Sequence, residues 1–567
     1  VANQKVEYYL SENSSPTEKH SPFIIENFHQ APPFTSFLPG IAGLYGCPLW
    51  AFYVNRGQGI TSFGVEDKSG AIMEFEPANK SYRQTELTGF RTFIKVDGEY
   101  FEPFRNCCDC ASSDAVKREM QIRPEALKIV ETNSDHKLKI EVEYYVLPEE
   151  TFPALVRNVK ITNLSKKPRQ IELLDGMPII IPLGFNDDLL KRITRTTEAW
   201  CRADNLENNA PLFRLKVFPS DSSVTTLVKS GHFYLTTGVE AGYVVDPSLV
   251  FGEHTALEIP EKFLAKKFVV PEKQIEQGYT PSAFTHLKKK FKDQIEFNTL
   301  IGRVDTVEEL AKIKEKIQAK NYFADKREEA KGVIENLTDL MSCETNEPLF
   351  DQYSRYSFMD NVMRGGLPVT LGGATLYAYS RKHGDPERDY NDFKLSPTYF
   401  SQGNGNYRDV NQNRRSDLFF NPELMAENIY TFFNLTQLGG FNPLIMLAVK
   451  YSIDSAEKAE KILRKHLNLS LPHLAKRLTE PFLLGEVMKE LDRVASAKIS
   501  AKNPKSAWIT SREAFAEELL SQATAQTEAV HGEGYWADHF SYNLDLLESF
   551  ESIYPDKIIE VLFKKNC

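Results

Sequence analysis

The stretch that most constrains this chain is Lys137-Leu-Lys-Ile-Glu-Val-Glu-Tyr-Tyr-Val146, where Leu138, Ile140, Val142 and Tyr144 alternate with Lys139, Glu141 and Glu143. A period of two puts the apolar residues on one face of an extended strand and the charges on the other. One face must therefore be packed while the other meets water. Leu155–Leu164 and Gln170–Leu174 repeat the theme around a turn at Ser165-Lys-Lys-Pro168, and Ala241–Val245 and Phe268–Val270 add two more apolar runs. From about Pro22 to Gly302, short β-branched runs between turn residues predict a large two-sheet sandwich rather than βαβ units.

After Gly302 the texture changes. Thr306-Val-Glu-Glu309 has the spacing of a capping box, and Val307, Leu310, Ile313 and Ile317 then recur at helical intervals. A second amphipathic run carries Val333, Leu337 and Leu340. Beyond Thr345, helices are expected at Leu424–Phe433, Leu444–Tyr451, Glu457–Leu463 and Arg512–Leu520. The expected organisation is a β-sandwich domain over 1–302, a helical linker over 303–344 and a helical domain over 345–567.

The chain of 567 residues has a modest formal charge of -10 with both signs interspersed, which argues against a nucleic-acid or anionic-membrane partner. No apolar run is long enough to span a bilayer. The opening Val-Ala-Asn-Gln-Lys-Val lacks a basic segment followed by an apolar core, so a cytoplasmic location is expected. Of the 7 cysteines, Cys47, Cys201, Cys343 and Cys567 are scattered, as free thiols in a reducing compartment would be. Cys107, Cys108 and Cys110 cluster around Asp109, but nothing completes the paired spacing of a closed zinc site, and no metal is expected.

Four polar stretches invite a functional reading. Asn55-Arg-Gly-Gln-Gly-Ile-Thr-Ser-Phe-Gly64 does not match a dinucleotide fingerprint, and its glycines fit an ordered hairpin. With Tyr82–Arg91, it could instead carry Arg56, Gln58 and Arg91 toward a neighbouring domain's cleft. Phe400–Asp417 is too polar for core and reads as a loop, with Arg408 and Asp409 offering a cationic fork beside a carboxylate. His531–Asp545 packs Glu533, Asp538, Asp545, His531, His539, Tyr535, Trp536, Phe540 and Tyr542 together behind two glycines. An aromatic face beside an acid suits carbohydrate chemistry, while a polar helix-entry loop is the plain alternative.

Tyr407-Arg408-Asp409-Val410-Asn411-Gln412 resembles the Phe-Arg-Asp-x-x-Gln motif of inverting disaccharide and oligosaccharide phosphorylases, glycoside hydrolase family 94 and its relatives in families 149 and 161. Gly534-Tyr535-Trp536-Ala537-Asp538 is similar to that clan's Asp-Trp-Asn-Asp element, with Ala537 in place of the usual Asn. Asn-Arg-Gly-Gln-Gly and Thr-Gly-Phe-Arg-Thr-Phe look closest to the β-1,3-oligoglucan phosphorylases. The resemblance implies an N-terminal β super-sandwich, a helical linker and an (α/α)6 barrel, incomplete in this chain. It implies phosphorolysis of β-linked gluco-oligosaccharides, β-1,3 in the first instance, to α-glucose 1-phosphate. Asp538 matches the general acid, Trp536 a sugar-contacting aromatic, Arg408 a group near phosphate and Asp409 a ligand of sugar hydroxyls. Tyr407, Gln412 and Glu533 join them as substrate-site residues.

That chemistry needs no organic cofactor, with inorganic phosphate as co-substrate. Phosphate is already an anionic nucleophile, so one acid suffices where an inverting hydrolase needs a second carboxylate for water. Asp538 should then be kept protonated by burial against Trp536 or by the like charge of Glu533. The region from Thr345 onward is short for twelve barrel helices. No further phosphate-site His is evident, so a separate polypeptide is expected to complete the barrel, and a homodimer is admitted. An inverting hydrolase using Glu533 or Asp409 as base, and a non-catalytic carbohydrate-binding subunit, are the competing readings.

Overall fold

The computed structural model describes residues 5–11, 19–106, 115–219, 222–240, 242–382, 392–498, 505–532 and 536–563. Glu533 and the cysteines at 107, 108, 110 and 567 lie outside them. The chain divides into two compact units, the first made mainly of residues up to Glu335 and the second mainly of residues from Asn336 onward.

The first unit is built on three antiparallel sheets. Strands β1 (Trp50–Val54) and β2 (Ile60–Gly64) form the middle of a four-stranded sheet. β3 (Arg91–Val96) belongs to a sheet of five, and β4 (Leu138–Val146) and β5 (Ala154–Asn163) to a sheet of ten. β6 (Arg169–Met177) and β8 (Ala283–Phe291) lie with β3 in the five-stranded sheet, and β7 (Gly231–Thr237) and β9 (Gln294–Val304) with β5 in the large one. The alternation in β4 is realised: Leu138, Ile140, Val142 and Tyr144 are all 0% exposed. They join Ile94, Ile171 and Leu287 of the five-stranded sheet and Tyr53, Ile60 and Phe63 of the four-stranded one in a single core. Between β6 and β8 the backbones approach so closely that a Cβ on Gly176 would sit 2.0 Å from the Ala283 carbonyl oxygen. Only glycine fits there.

The opposite face of the large sheet is not left wet. Tyr145, Val156, Leu235 and Leu300 pack beneath Leu310, Ile313 and Ile317 of helix α1 (Val307–Lys316), and with Tyr322 and Ala330 of α2 (Tyr322–Thr338). The cap expected at Thr306 forms, its hydroxyl accepting from the Glu309 N–H at 3.2 Å while the Glu309 carboxylate accepts from the Asp305 N–H at 3.0 Å. Tyr322 and Lys316 both bind the buried Glu150 carboxylate, which ties α1 and α2 to the sheet. One expectation fails in this unit, and one of two alternatives is set aside. Phe268–Val270 is not a strand; Phe268 instead packs against Phe263 with ring centroids 5.4 Å apart. Nor do Arg56, Gln58 and Arg91 project as free groups. Arg56 donates to the carbonyls of Ala31 and Asn55, Arg91 pairs with Glu102, and Gln58 is buried in a polar ring between the sheets.

That ring links all three sheets. Arg157 of β5 pairs with Asp175 of β6, both 0% exposed, and also donates to Gln58 Oε1 at 2.6 Å. Gln58 Nε2 donates to the Thr92 hydroxyl at 2.9 Å, which donates to Asp175 Oδ1 at 2.6 Å. Burial by itself depresses the Arg157 guanidinium, but the Asp175 carboxylate overrides this and holds it above its ordinary value.

The second unit is mainly helical. Its longer helices are α3 (Pro348–Gly365), α4 (Tyr407–Arg414), α5 (Glu427–Asn434), α6 (Ala456–Leu467), α7 (Leu484–Lys498), α8 (Lys505–Ser521) and α9 (Asp538–Ile553). With three shorter ones they make ten α-helices among the described residues, against the twelve of six helical hairpins. One core gathers Ile462, Leu463, Val487, Leu491, Phe515 and Leu519 between α6, α7 and α8; another gathers Tyr407, Val410, Phe432, Leu546 and Phe550 between α4, α5 and α9. The helices expected at 457–463 and 512–520 are present within α6 and α8.

The apolar run Leu444–Tyr451 forms strands rather than a helix. Ile445–Met446 pairs with Gly405–Asn406 and with Ala529–Val530, and Lys450–Ile453 pairs with Ala523–Gln526. An eight-residue apolar run has no period that separates helix from strand, and partners distant in sequence decide. Conversely, part of the supposed loop at 400–417 is helix α4. Its inward residues Tyr407, Val410, Asn411 and Arg414 recur at helical spacing, but two of the four are polar, so an apolar periodicity does not reveal them.

Candidate functional site

Helices α4 and α9 run side by side, and their first turns meet. Tyr407 opens α4 and is wholly buried; its hydroxyl shares one proton between the Phe432 carbonyl at 3.0 Å and Asn543 Oδ1 at 3.1 Å. Asn411 Nδ2 donates to the same Asn543 oxygen at 2.5 Å, and one turn on, Arg415 pairs with Asp545 at 2.5 Å. These contacts fix the register of two segments 136 residues apart in the chain. Asp545 is thereby a structural partner of Arg415.

His539 sits at the junction, 5% exposed. Its Nδ1 lies 2.9 Å from Asn442 Oδ1, which can only accept, so Nδ1 carries a proton. The ring stacks on Trp536 (centroids 6.1 Å, planes 15° apart) and leans against Tyr407 at 5.2 Å. Burial lowers its pKa below the ordinary value; Asp538 and Asp409 push it up and Arg408 pushes it down, without reversing the shift. The imidazole is therefore neutral at pH 7. Arg408 and Asp409 lie on the first turn of α4 and Asp538 opens α9, close enough for all three charges to act on the ring.

Arg408 is half exposed, and its Nε donates to Asp409 Oδ1 at 3.2 Å. Asn406 Nδ2 holds the other oxygen, Oδ2, at 3.0 Å. Among the described residues no group accepts from the two terminal nitrogens of Arg408, so a guanidinium edge remains for an incoming oxyanion. Trp536 is 47% exposed and offers the ring face not covered by His539. The arrangement thus combines an acid, a positioned carboxylate and a cation on the first turns of two packed helices with an aromatic platform just ahead of one of them.

Two sequence expectations are corrected by these positions. Asp538 is exposed at the first turn of α9 and is not buried against Trp536, because the indole turns its face to His539. Tyr407 presents no surface to a ligand, since its ring and hydroxyl are both committed to the core. Gln412 lies exposed on α4, one turn beyond Arg408 and on the same side of the helix. Glu533 lies outside the described residues. The sequence reading missed Asn442, Asn406 and Asn543, which orient His539, Asp409 and Tyr407. Single asparagines carry no periodicity, and only their partners reveal them. Among the described residues, no group of His, Cys, Asp and Glu could hold a metal ion, and no helix is long and apolar enough to cross a membrane.

No family model matches the chain, and no curated protein matches it. Among solved structures, a bacterial glucoamylase complexed with acarbose aligns over 98% of this chain and 67% of its own, at 11% identity and a TM-score of 0.37. A candidate kojibiose phosphorylase from the human microbiome aligns over 73% of this chain and 45% of its own, at 10% identity and a TM-score of 0.31. A family GH92 α-mannosidase from Bacteroides thetaiotaomicron aligns over 93% and 62%, at 8% identity and a TM-score of 0.25. The chain therefore spans about two thirds of the first of these proteins and under half of the second. At such scores the likenesses carry no argument about what this chain does, and the site's own geometry has to supply it.

Proposed function

We propose that this protein is a carbohydrate-active enzyme that cleaves β-linked gluco-oligosaccharides by inverting phosphorolysis, releasing α-glucose 1-phosphate. A β-1,3 linkage is the first to test. The observation that carries this reading is the packing of α4 against α9, which brings the turn bearing Arg408 and Asp409 beside the turn opened by Asp538, with Trp536 just ahead of it. A sugar ring stacked on the open face of Trp536 would shut water away from Asp538, the condition under which a carboxylic acid holds its proton until the glycosidic oxygen leaves. Asp409, held by Asn406, accepts from sugar hydroxyls, and the free edge of Arg408 meets phosphate. His539 stays neutral and braces the indole from behind.

The test is phosphate release from α-glucose 1-phosphate with a panel of β-glucosyl acceptors, paired with cleavage assays with and without phosphate. Asp538→Asn should lower turnover by at least a hundredfold while leaving oligosaccharide affinity within about threefold. Cleavage at full rate without phosphate would turn the reading to a hydrolase. Saccharide binding with no turnover under either condition would turn it to a binding subunit.

A further inference from the structure

We propose that the second unit carries a separate site for a small hydroxylated oxyanion, a sugar phosphate or a sugar acid, built around Arg414. A cavity of ≈ 300 Å³ is lined by Tyr377, Ser380, Arg414, Glu427 and Thr431. None of Arg408, Asp409, Trp536 or Asp538 lines it, and six residues of helix put Arg414 about 9 Å along the α4 axis from Arg408. The site stands on its own geometry, independent of the reaction proposed above.

Arg414 is 6% exposed, and its direct contacts are to neutral groups. Its Nε donates to the Gly365 carbonyl at 2.7 Å, and its Cζ lies 3.3 Å from the centroid of the Tyr377 ring. Tyr377 is held in turn by its hydroxyl donating to Asn428 Oδ1 at 2.5 Å, while Asn428 Nδ2 donates to Asp417 Oδ2 at 3.1 Å. Among the described residues no carboxylate reaches ion-pair distance of Arg414, and nothing accepts from its two terminal nitrogens, although the Asp417 and Glu427 carboxylates lie near enough to favour its charge. Burial opposes that charge, and buried guanidinium N–H groups without an acceptor are unfavourable. A guanidinium pinned by its Nε and ring face, lining a cavity with no acceptor on its two terminal nitrogens among the described residues, can bind an oxyanion in a bidentate fork.

The second charge in the cavity narrows the ligand. Glu427 lines the same space, where a carboxylate repels a bare anion but accepts well from hydroxyls. Partial desolvation raises its pKa although the residue stays exposed on one side, and Arg414 partly offsets the shift. The Ser380 and Thr431 hydroxyls add donors and acceptors. An oxyanion at one end and hydroxyls at the other, in a space at the small end of ligand pockets, describe a monosaccharide bearing a phosphate or a carboxylate.

Titration calorimetry on the 567-residue chain would use α-glucose 1-phosphate, gluconate, inorganic phosphate and glucose. α-Glucose 1-phosphate or gluconate should bind at least tenfold more tightly than glucose, and whichever binds identifies the source of the oxyanion. Arg414→Lys should weaken that binding at least tenfold, because an ammonium cannot replace the fork. Glu427→Gln should improve inorganic phosphate several-fold relative to the hydroxylated ligand. α-Glucose 1-phosphate is also the product of the proposed reaction, so any binding step that Arg408→Ala removes belongs to that site, while the step assigned here should persist in Arg408→Ala and be weakened by Arg414→Lys. Loss of every anion-binding step in Arg408→Ala, or no anion bound above glucose, overturns the proposal. Should Arg414→Lys fail to fold, an unchanged ratio of phosphate to hydroxylated-ligand affinity in Glu427→Gln overturns it equally.

Discussion

Replacing Asp175 with asparagine isolates charge compensation between the sheets of the first unit. The substitution keeps size and shape, and the amide oxygen can still accept from the Thr92 hydroxyl, now at 2.6 Å. It leaves Arg157 charged, 0% exposed and without its carboxylate. Gln58 Oε1 and the Tyr144 hydroxyl still contact the guanidinium, at 2.6 Å and 3.3 Å, but neither bears a charge. Removing one partner of a buried pair is destabilising by roughly 3–5 kcal/mol, a large part of the about 5–15 kcal/mol that holds a typical domain. The control is Thr92→Val, which removes only hydrogen bonds of the ring and should cost about 1–2 kcal/mol. Urea unfolding followed by the fluorescence of Trp50, 2% exposed in this unit, measures both variants. If Asp175→Asn unfolds within about 1 kcal/mol of the parent, or Thr92→Val proves the more damaging, the ring is held by hydrogen bonds and the charge argument is wrong.

Asp417 gives a pH signature in the second unit. Burial pushes its carboxyl from 3.8 up to about 7, Arg414 and Asn428 only partly opposing. Between these values the folded state binds more protons than the unfolded one, so this contribution to stability is full below pH 3.8 and is lost as pH rises toward 7. Asp417→Asn should flatten that slope and stabilise the unit at pH 8 by a few kcal/mol; an unchanged slope in denaturation curves at pH 5, 6, 7 and 8 would refute it. At the candidate site, Trp536→Ala should weaken gluco-oligosaccharide binding roughly tenfold or more while leaving thermal stability nearly unchanged, since the indole is 47% exposed. A large loss of stability with unaltered binding would make Trp536 a packing residue instead.

What could be read in the sequence depended on whether a residue's role was local. The strand at Leu138–Val146 and the capped helix after Thr306 announce themselves because burial there follows one period. Tyr145 was harder, since the face it occupies becomes dry only once α2 lies across it and its hydroxyl reaches the Phe323 carbonyl. The pairing of Arg408–Asp409 with Trp536–Asp538 came from motif likeness, and the meeting of α4 with α9 gives it a spatial form. Arg414 and Glu427 were passed over because each looks like an ordinary charge on a helix. Only the fold reveals that one has lost its water and that both open into the same space.

The register between α4 and α9 also dictates an order of events. Tyr407 and Phe432 are 0% exposed only because Leu546 and Phe550 of α9 seal them, and that closure joins segments far apart along the chain. Such long loops close slowly, and contacts of high sequence separation form late. A nascent chain that has emerged only as far as α8 therefore displays an open apolar groove along α4 and α5 and still lacks Trp536 and Asp538. Synthesis of α9 is the step that buries that groove, so a ribosome stalled between α8 and α9 would hold a species prone to association.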